Sequence, residues 1–344
     1  MQKKLIALAI ATAFSAPAFA DNANVTFYGK AFLTLDSINS NQTGAVSKMR
    51  VNSNASRFGV KGGEDVGEGL KAIYQFEVQM DGDGSGKNGL GNGTRNSAVG
   101  LSGDFGSLTF GNWDTPYKVT HNKIELFDNT TVFSATNLIG KASATGGINY
   151  VTRLANMVQY VSPSLGGVKI AAMYAPDEAK TSTTNKTVLS LSATYDQDAI
   201  FAAFGYDSRP DLTTTGQTDN AMRFVGRYSF GDAWLGATVE RIKVNSSATA
   251  SYTQSNMELV GSVKLGVSNV ALSYAKAGKT DVSNTGCSQV SLRLGYDFSK
   301  RTEAFAAYTS LKNDSAATYN AIYGSSTAAG ATETAIGFGL IHSF

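Results

Sequence analysis

The 344-residue sequence contains a single cysteine, Cys287, together with two histidines and five prolines. One cysteine excludes an intramolecular disulfide bond. With only His121 and His342, the sequence has few candidates for a general base paired with a nucleophile. No cluster of residues has the spacing of a metal site. The sequence therefore predicts neither an enzyme nor a metal site, and it contains no motif for another cofactor.

Long apolar runs and an excess of one charge are also missing. Beyond the first twenty residues, no stretch of about 18 apolar residues could form a transmembrane helix. The chain has 29 Lys and Arg against 27 Asp and Glu, and Lys3 and Lys4 lie within those first twenty residues. The rest of the chain is formally neutral, which does not favour nucleic-acid binding.

Residues 1–20 have the pattern of a secretory signal peptide. A positive start precedes an apolar run at 5–14, and Ala18-Phe19-Ala20 forms a cleavage signal before Asp21. A short membrane helix is the alternative, but the apolar run is too short to span a bilayer. We therefore expect the folded domain to comprise residues 21–344.

Glycine and aromatic residues are abundant, with 36 Gly, 18 Phe and 15 Tyr. They occur in segments where apolar and polar residues alternate. Val290, Leu292 and Leu294 would share one face of an extended segment, whereas Ser291 and Arg293 would share the other. This period of two predicts an all-β chain.

Two features favour a membrane barrel over a water-soluble sandwich. Full charges stand on the polar face in mid-strand, as at Arg293 and Lys264, which suits a water-filled interior. The breaks also alternate in length, as short periplasmic turns and long external loops do in outer-membrane barrels. Tight turns are predicted at 102–106, 195–198, 230–233 and 297–300, and long loops at 81–93, 177–185, 208–220 and 313–331.

The last thirteen residues, 332–344, predict a strand that closes the barrel. Ile336, Phe338 and Leu340 alternate with small residues, and the chain stops at Phe344. A closed barrel needs its last strand because that strand pairs with the first. We expect a transmembrane antiparallel β-barrel of about sixteen strands, wide enough for an aqueous channel.

Two stretches depart from the strand pattern. Small or polar residues occupy lipid-type positions in the early strands, and we interpret this wall as a subunit interface; the alternative is a register slip, which reverses every side chain. These residues are Asn54, Ala55, Ser56, Asn96, Ala98 and Gly100. Residues 113–149 have weak periodicity, and a loop of this length is expected to fold into the bore and constrict it.

An ordered set of short motifs resembles those of the trimeric general porins of Gram-negative bacteria. The residues in these motifs are most similar to those of the β-proteobacterial type. The resemblance covers the whole chain after residue 20. Its main elements are Tyr28-Gly-Lys30, Ser56-Arg-Phe-Gly-Val-Lys-Gly62, Gly69-Leu-Lys-Ala72, Tyr74-Gln-Phe-Glu77, Gly106-Ser-Leu-Thr-Phe-Gly111 and the terminal Phe344.

The resemblance implies a homotrimer in the outer membrane that lets small hydrophilic solutes and ions diffuse passively. It also implies contact with outer-membrane lipid and lipopolysaccharide, and recognition of Phe344 by the barrel assembly machinery. The third external loop, here 113–149, would fold into the pore.

The family places basic side chains on the early strands opposite an acidic third loop. By motif, the basic positions are Lys30, Arg57, Arg95 and Arg153, with Arg50 as an addition. On the acidic side we predict Glu125 and Asp128, and also Asp114. Ile124-Glu-Leu-Phe-Asp128 only loosely matches the Pro-Glu-Phe-Gly-Gly loop motif of enterobacterial relatives.

Four or five basic groups facing two or three acids predict a mild anion preference. For each arginine the alternative is an ordinary wall ion pair with Glu64, Asp65 or Glu77. Rival functions are a substrate-selective channel with saturable binding, and a structural or adhesive barrel whose lumen is blocked. An enzyme built into a barrel is a further rival, against which the two histidines argue.

Overall fold

The computed structural model describes residues 24–84, 90–320 and 328–344. The predicted signal peptide, 1–20, lies outside the described residues. Among those residues, no helix is long and apolar enough to cross a membrane.

The regular structure of the described chain is almost all β-strand, with one four-residue helix, α1, and one 3₁₀ turn. The elements are β1 (Asn24–Ser40), β2 (Lys48–Ser53), β3 (Arg57–Gly67), β4 (Leu70–Met80), β5 (Leu90–Thr94), β6 (Ser97–Gly103), β7 (Gly106–Asp114), α1 (Pro116–Val119), the 3₁₀ turn (Ala135–Asn137), β8 (Lys141–Ala142), β9 (Ile148–Asn149), β10 (Arg153–Val161), β11 (Val168–Ala175), β12 (Val188–Gln197), β13 (Ile200–Pro210), β14 (Thr218–Phe230), β15 (Ala233–Val244), β16 (Tyr252–Leu265), β17 (Ser268–Ala277), β18 (Cys287–Asp297), β19 (Thr302–Asn313) and β20 (Thr332–Ser343).

One antiparallel sheet closes on itself because β20 pairs with β1. The register runs from Lys30 opposite Ser343 to Ser40 opposite Glu333. β2 with β3, and β5 with β6, are single barrel strands interrupted by two or three residues, so sixteen strands form the wall. The predicted antiparallel barrel and its strand number are confirmed.

The C-terminal residue takes part in this closure. The Phe344 N–H donates to Gly29 O at 3.0 Å, and the Gly29 N–H donates to Phe344 O at 2.9 Å. The Phe344 ring lies where a side chain at position 29 would stand, so glycine is needed there. The ring itself stacks on His342 and stays half exposed.

The two ends of the barrel differ in their connections. Tight turns such as 231–232 and 266–267 join strands at one end, whereas the other end carries longer segments such as 176–187 and 278–286. The predicted pattern of short turns and long loops is confirmed.

Apolar side chains cover the outside of the barrel and polar side chains line the inside. In β16, Leu259 is 57% exposed, whereas the neighbouring Glu258 is buried in the interior. A soluble sheet shows the reverse arrangement, because water penalises exposed apolar surface. The exposed outer band is therefore the surface that contacts lipid hydrocarbon.

The early strands do not have the faces that the sequence predicts. Asn54, Ala55, Ser56 and Ala98 are all buried. A break after β2, with Ala55 at φ 50°, reverses the alternation within this barrel strand, so that even-numbered residues point inward in β1 and β2 and odd-numbered residues point inward in β3. The alternative of a register slip was correct, and these residues do not mark a subunit interface.

The segment between β7 and β10, residues 115–152, folds into the barrel. Its apolar residues Ile124 and Phe133 are fully buried against the inner wall. Glycines on that wall make room: a methyl group at Gly236 would contact Ile124, and one at Gly337 would contact Phe133. Small residues on β15 and on the last strand are thus part of the surface against which this loop packs.

Candidate pore constriction

Four basic side chains form a ladder on one inner wall: Lys30 on β1, Arg57 on β3, Arg95 between β5 and β6, and Arg153 at the start of β10. We call them the basic ladder. Lys30 and Arg57 are directly paired in the register of β1 and β3, so their side chains share the inward face. All four side chains are between 14% and 23% exposed, so they remain in contact with the lumen.

Asp128 of the inward-folded loop meets the first two members of the ladder. Its Oδ2 lies 2.8 Å from Lys30 Nζ and 3.1 Å from Arg57 Nη1. Burial disfavours the ionised carboxyl, but the two cations outweigh this effect and hold the pKa of Asp128 below its usual range. Asp128 has φ 59°, a left-handed conformation that aspartate tolerates better than most residues.

Glu77 on β4 joins the middle of the ladder. Its carboxylate lies 2.7 Å from Arg95 Nε and 3.6 Å from Arg57 Nε, and it accepts a hydrogen bond from Tyr28 OH at 3.0 Å. The wall pairing that the sequence left open for the arginines is therefore present. It coexists with the contact between Arg57 and the loop.

Asp114 ends β7 and binds the last member of the ladder. Its Oδ1 lies 3.1 Å from Arg153 Nη2 and 2.8 Å from Lys118 Nζ, and Asn96 donates to Oδ2 at 3.3 Å. Asn96 also accepts from Arg153 Nε at 2.6 Å. Lys118 is a fifth cation at this site. In the sequence, its position four residues after Asp114 was the signal that could have indicated this ion pair.

Glu125, predicted on the acidic side of the lumen, lies elsewhere. Its side chain is only 3% exposed, and its carboxylate faces His121 and accepts from the Phe127 N–H at 2.8 Å. Burial and the neighbouring Glu258 raise the pKa of Glu125. The loop turns between 125 and 128, so only the second of the two acids reaches the basic ladder.

Arg50 does not join the ladder either. It pairs in register with Asp36 on β1, six residues from Lys30. At about 3.3 Å per residue this is roughly 20 Å along the strand. Arg50 faces inward nearer the end with the long loops, beyond direct contact with the constriction.

Buried pairs fix the loop to the opposite inner wall, formed by β13 to β20, which we call the anchor wall. Arg223 lies 2.9 Å from Glu240, and both side chains are fully buried. The same carboxylate accepts from Tyr117 OH at 2.8 Å and from the Gly140 N–H at 2.6 Å. One wall pair therefore holds two points of the loop.

The two histidines occupy structural positions. His121 is 1% exposed, and its Nε2 lies 2.5 Å from Glu258, so a solute in the lumen does not reach it. His342 Nδ1 is 2.9 Å from Thr302 Oγ1 on the outer face. Within the described ranges, no group of three or more His, Cys, Asp or Glu is arranged to hold a metal ion.

Comparison with known proteins identifies a family whose sequence model matches this chain. The family model of Gram-negative porins matches residues 7–316. Outer membrane porin protein 32 of Delftia acidovorans is 28% identical over 355 residues, with all of both chains covered. Major outer membrane protein P.IB of Neisseria lactamica is 28% identical over 326 residues, covering 89% of this chain and 92% of the relative.

Solved structures of other proteins are similar to this structure over nearly the whole chain. The anion-selective porin from Comamonas acidovorans superposes with a TM-score of 0.82 at 25% identity, covering 94% of this chain and all of the other. OmpT of Vibrio cholerae in its trimer form superposes with a TM-score of 0.68 at 17% identity, covering 94% of this chain and all of the other. The second likeness concerns the fold alone.

Proposed function

The chain belongs to the Gram-negative porins and is an outer-membrane channel protein, and from this premise we propose how its lumen selects solutes. Small hydrophilic solutes and ions diffuse passively through a water-filled bore that residues 113–149 constrict. The basic ladder and Asp128 line the narrowest part. Passage involves no chemistry and no cofactor, as is usual for a family of channels.

A surplus of positive charge at the constriction carries this proposal. Five cations, the ladder and Lys118, face three carboxylates, Asp128, Glu77 and Asp114. The majority sign of fixed charge in a narrow pore sets the ion preference, here for anions. Low-dielectric walls focus the field, and salt screens it over about 8–10 Å. The similarity to an anion-selective porin supports the same sign.

Reversal potentials in a planar lipid bilayer test the selectivity. Under a salt gradient the wild type should show mild anion preference, and Arg57→Gln or Arg95→Gln should reduce it. Lys264→Gln is the matched control, because Lys264 also faces the lumen but pairs with Asp297 near the short turns. Cation selectivity of the wild type, or equal effects of ladder and control variants, would contradict the proposal. Saturating conductance would favour the substrate-selective channel.

We propose further that the protein assembles as a homotrimer. The trimer form of the similar OmpT barrel supports this arrangement. Native mass spectrometry of the detergent-extracted protein should give a mass of three chains, and bilayer currents should rise in groups of three steps. A monomer that conducts in single steps would contradict the trimer but leave the channel intact.

Export and insertion complete the proposal. Removal of residues 1–20 should leave Asp21 as the first residue of the mature protein, which N-terminal sequencing detects. We propose that Phe344 is the signal for the barrel assembly machinery. Deleting Phe344 should lower the yield of inserted barrel in cells, whereas Phe338→Leu, in mid-strand, should not.

A further inference from the structure

A cavity of about 340 Å³ lies in the inner wall formed by the early strands, on the short-turn side of the basic ladder. Its lining includes Thr26, Lys61, Gln75 and Trp113. Thr26 is opposite Lys61, which is opposite Gln75, so these three side chains share the inward face. Lys61 is four residues from Arg57, or roughly 13 Å along β3. We call this cavity the vestibule pocket, because a solute meets it only after passing the ladder from the long-loop end.

Small residues make the wall recede at this point. Gly63 on β3 is opposite Ile73 on β4, and Ala98 on β6 is opposite Gly111 on β7, all on the inward face. A methyl group at Gly63 would lie 3.5 Å from Ile73 and would fill part of this space. The recess therefore has a floor of backbone and methyl groups, with the larger Trp113 beside it.

The two tryptophans of the chain line the lumen on opposite walls and differ in their contacts. Trp234, on the anchor wall, has the Arg227 guanidinium 4.5 Å from its ring centre. Trp113 is partly exposed and packs against the buried cluster that contains Met157 and Met173. In the part of the chain that the structure describes, no other ring and no cation stacks on it. The indole of Trp113 is therefore open to a ring that arrives with a solute.

Lys61 supplies a cation to this pocket that no carboxylate of the described residues pairs with. Its Nζ lies 5.2 Å from the centre of the Tyr28 ring. Tyr28 OH donates to Glu77, whose carboxylate is already paired with two arginines of the ladder. Asp65, the next inward acid along β3, accepts a hydrogen bond from the Gly67 N–H at 2.9 Å. The exposed ammonium group of Lys61 can therefore take an anionic partner from solution.

This combination of groups selects among ligand classes. A pocket for a small molecule is typically about 300–1,000 Å³, mainly apolar, with few polar groups that fix orientation. A neutral sugar would need several free hydrogen-bond donors and acceptors, but Gln75 Nε2 already donates to Asn96 O at 3.0 Å. A free ammonium group beside an indole and a flat recess instead fits a planar ring that carries one carboxylate.

We propose that the vestibule pocket binds aromatic monocarboxylates, with the ring on Trp113 and the carboxylate at Lys61 Nζ. The ring gains contact with the indole and the recess, and the carboxylate accepts a charge-assisted hydrogen bond from the ammonium group. The inference rests on the proposed function, because the basic ladder favours the anions that reach this pocket. It adds the class of anion that the channel holds after the constriction.

Block of the KCl current by benzoate in planar lipid bilayers tests the vestibule pocket. The wild-type current should fall saturably with benzoate, and cyclohexanecarboxylate, which has the same charge but no aromatic face, should block more weakly. Trp113→Leu and Lys61→Gln should each raise the half-blocking benzoate concentration about threefold or more, as expected for one lost ring contact or one hydrated charge contact. As a second readout, benzoate should quench the fluorescence of Trp234→Phe, in which Trp113 is the remaining tryptophan.

The matched controls are Trp234→Leu and Lys264→Gln, a tryptophan and a lysine of the lumen whose side chains already have partners. Both should be blocked by benzoate like the wild type. Equal shifts in test and control variants would overturn the site, as would a wild type that benzoate neither blocks nor quenches. Quenching by glucose as strong as that by benzoate would assign the pocket to sugars. Anion-selective reversal potentials without benzoate binding would remove the vestibule pocket and leave the proposed function intact.

Discussion

The basic ladder and the anchor wall face each other across one lumen and use the same residue types differently. The ladder's ion pairs with Asp128 involve side chains 18–32% exposed, so water and solutes reach them. The pair of Arg223 and Glu240 on the anchor wall is fully buried under the loop. The N–O distances are nearly equal, 2.8 Å for Lys30 with Asp128 and 2.9 Å on the anchor wall.

Burial rather than distance therefore separates the two roles. A charge in contact with water keeps its hydration, so its pair adds little stability but its field reaches passing ions. A charge removed from water depends on its partner, so breaking a buried pair is costly. The ladder is arranged to act on solutes, and the anchor wall is arranged to hold the loop.

The largest effect should come from the anchor wall. Glu240→Ala leaves Arg223 buried without its partner and removes the acceptor for Tyr117 OH and the Gly140 N–H. We expect a loss of about 3–5 kcal/mol in unfolding free energy. Urea unfolding in detergent micelles, followed by tryptophan fluorescence, measures it.

The control replaces both partners, as Arg223→Met with Glu240→Leu, which leaves no unpaired charge. It should be much less destabilised than Glu240→Ala, because an apolar pair of similar volume often substitutes for a buried ion pair. Equal destabilisation of the two variants would show that the pair's charge is not what holds the loop.

A second effect concerns pH at the anchor wall. Burial opposes protonation of His121, but Glu258 and Glu125 outweigh it and raise the pKa of His121 above 6.5. The ion pair between His121 and Glu258 therefore stabilises the attached loop fully below pH 6.5. This stabilisation is lost as pH rises through the elevated pKa of His121. A hydrogen bond to a charged group contributes about 1.5–3 kcal/mol, which is the expected change in unfolding free energy.

Stability of the wild type should thus fall as pH rises above neutrality, measured by the same unfolding assay. His121→Gln should flatten this dependence, because glutamine does not titrate. Arg223, the other charged group near His121, keeps its charge throughout this range. A slope that persists in His121→Gln would assign it to another group.

A smaller effect is expected for ion preference when an acid is removed from the ladder. Asp128→Asn removes the carboxylate that pairs with Lys30 and leaves Arg57 with Glu77 alone, 3.6 Å away, so it should raise anion preference a few-fold. A unit charge about 5 Å from a permeating ion contributes roughly 0.8 kcal/mol in a water-like dielectric. Reversal potentials measure the change. Glu125→Gln is the control, since a carboxylate buried under the loop should have little influence on the lumen.

The smallest effect should come from Lys123→Gln on the same loop. Lys123 Nζ lies 2.6 Å from Asp196 Oδ2, but both side chains are about half exposed. An exposed pair contributes about 0–1 kcal/mol, so stability should be almost unchanged. A loss of unfolding free energy comparable to that of Glu240→Ala would mean that the N–O distance of an ion pair, and not its burial, decides how much the pair stabilises the protein.

The alternation of single residues predicted much of the fold. It indicated the closing strand at the C-terminus, the tight turns and the number of strands, because side-chain direction in a strand depends on local parity. The prediction failed where parity itself changed. Ala55, at φ 50°, reverses the faces, and the sequence around it gives no strong signal of a break.

For the constriction, the motifs identified the four ladder residues, and the structure places them together on one inner wall with Asp128 and Asp114. The sequence did not separate Asp128 from Glu125, three residues away. The sequence offered Glu77 only as one possible wall partner of the arginines and did not single out Lys118. The contacts of Glu77 with Arg57 and Arg95, and of Lys118 with Asp114, depend on the fold.

The order of residues along the chain is enough to predict a closed cylinder with an apolar exterior and a polar interior, since the face that a strand residue takes depends on its immediate neighbours. Which charges meet depends on the folded chain, because Lys30 and Asp128 are 98 residues apart and their contact depends on the path of the loop. That path is fixed by glycines and buried pairs on the far wall, whose contribution appears only when the barrel has closed.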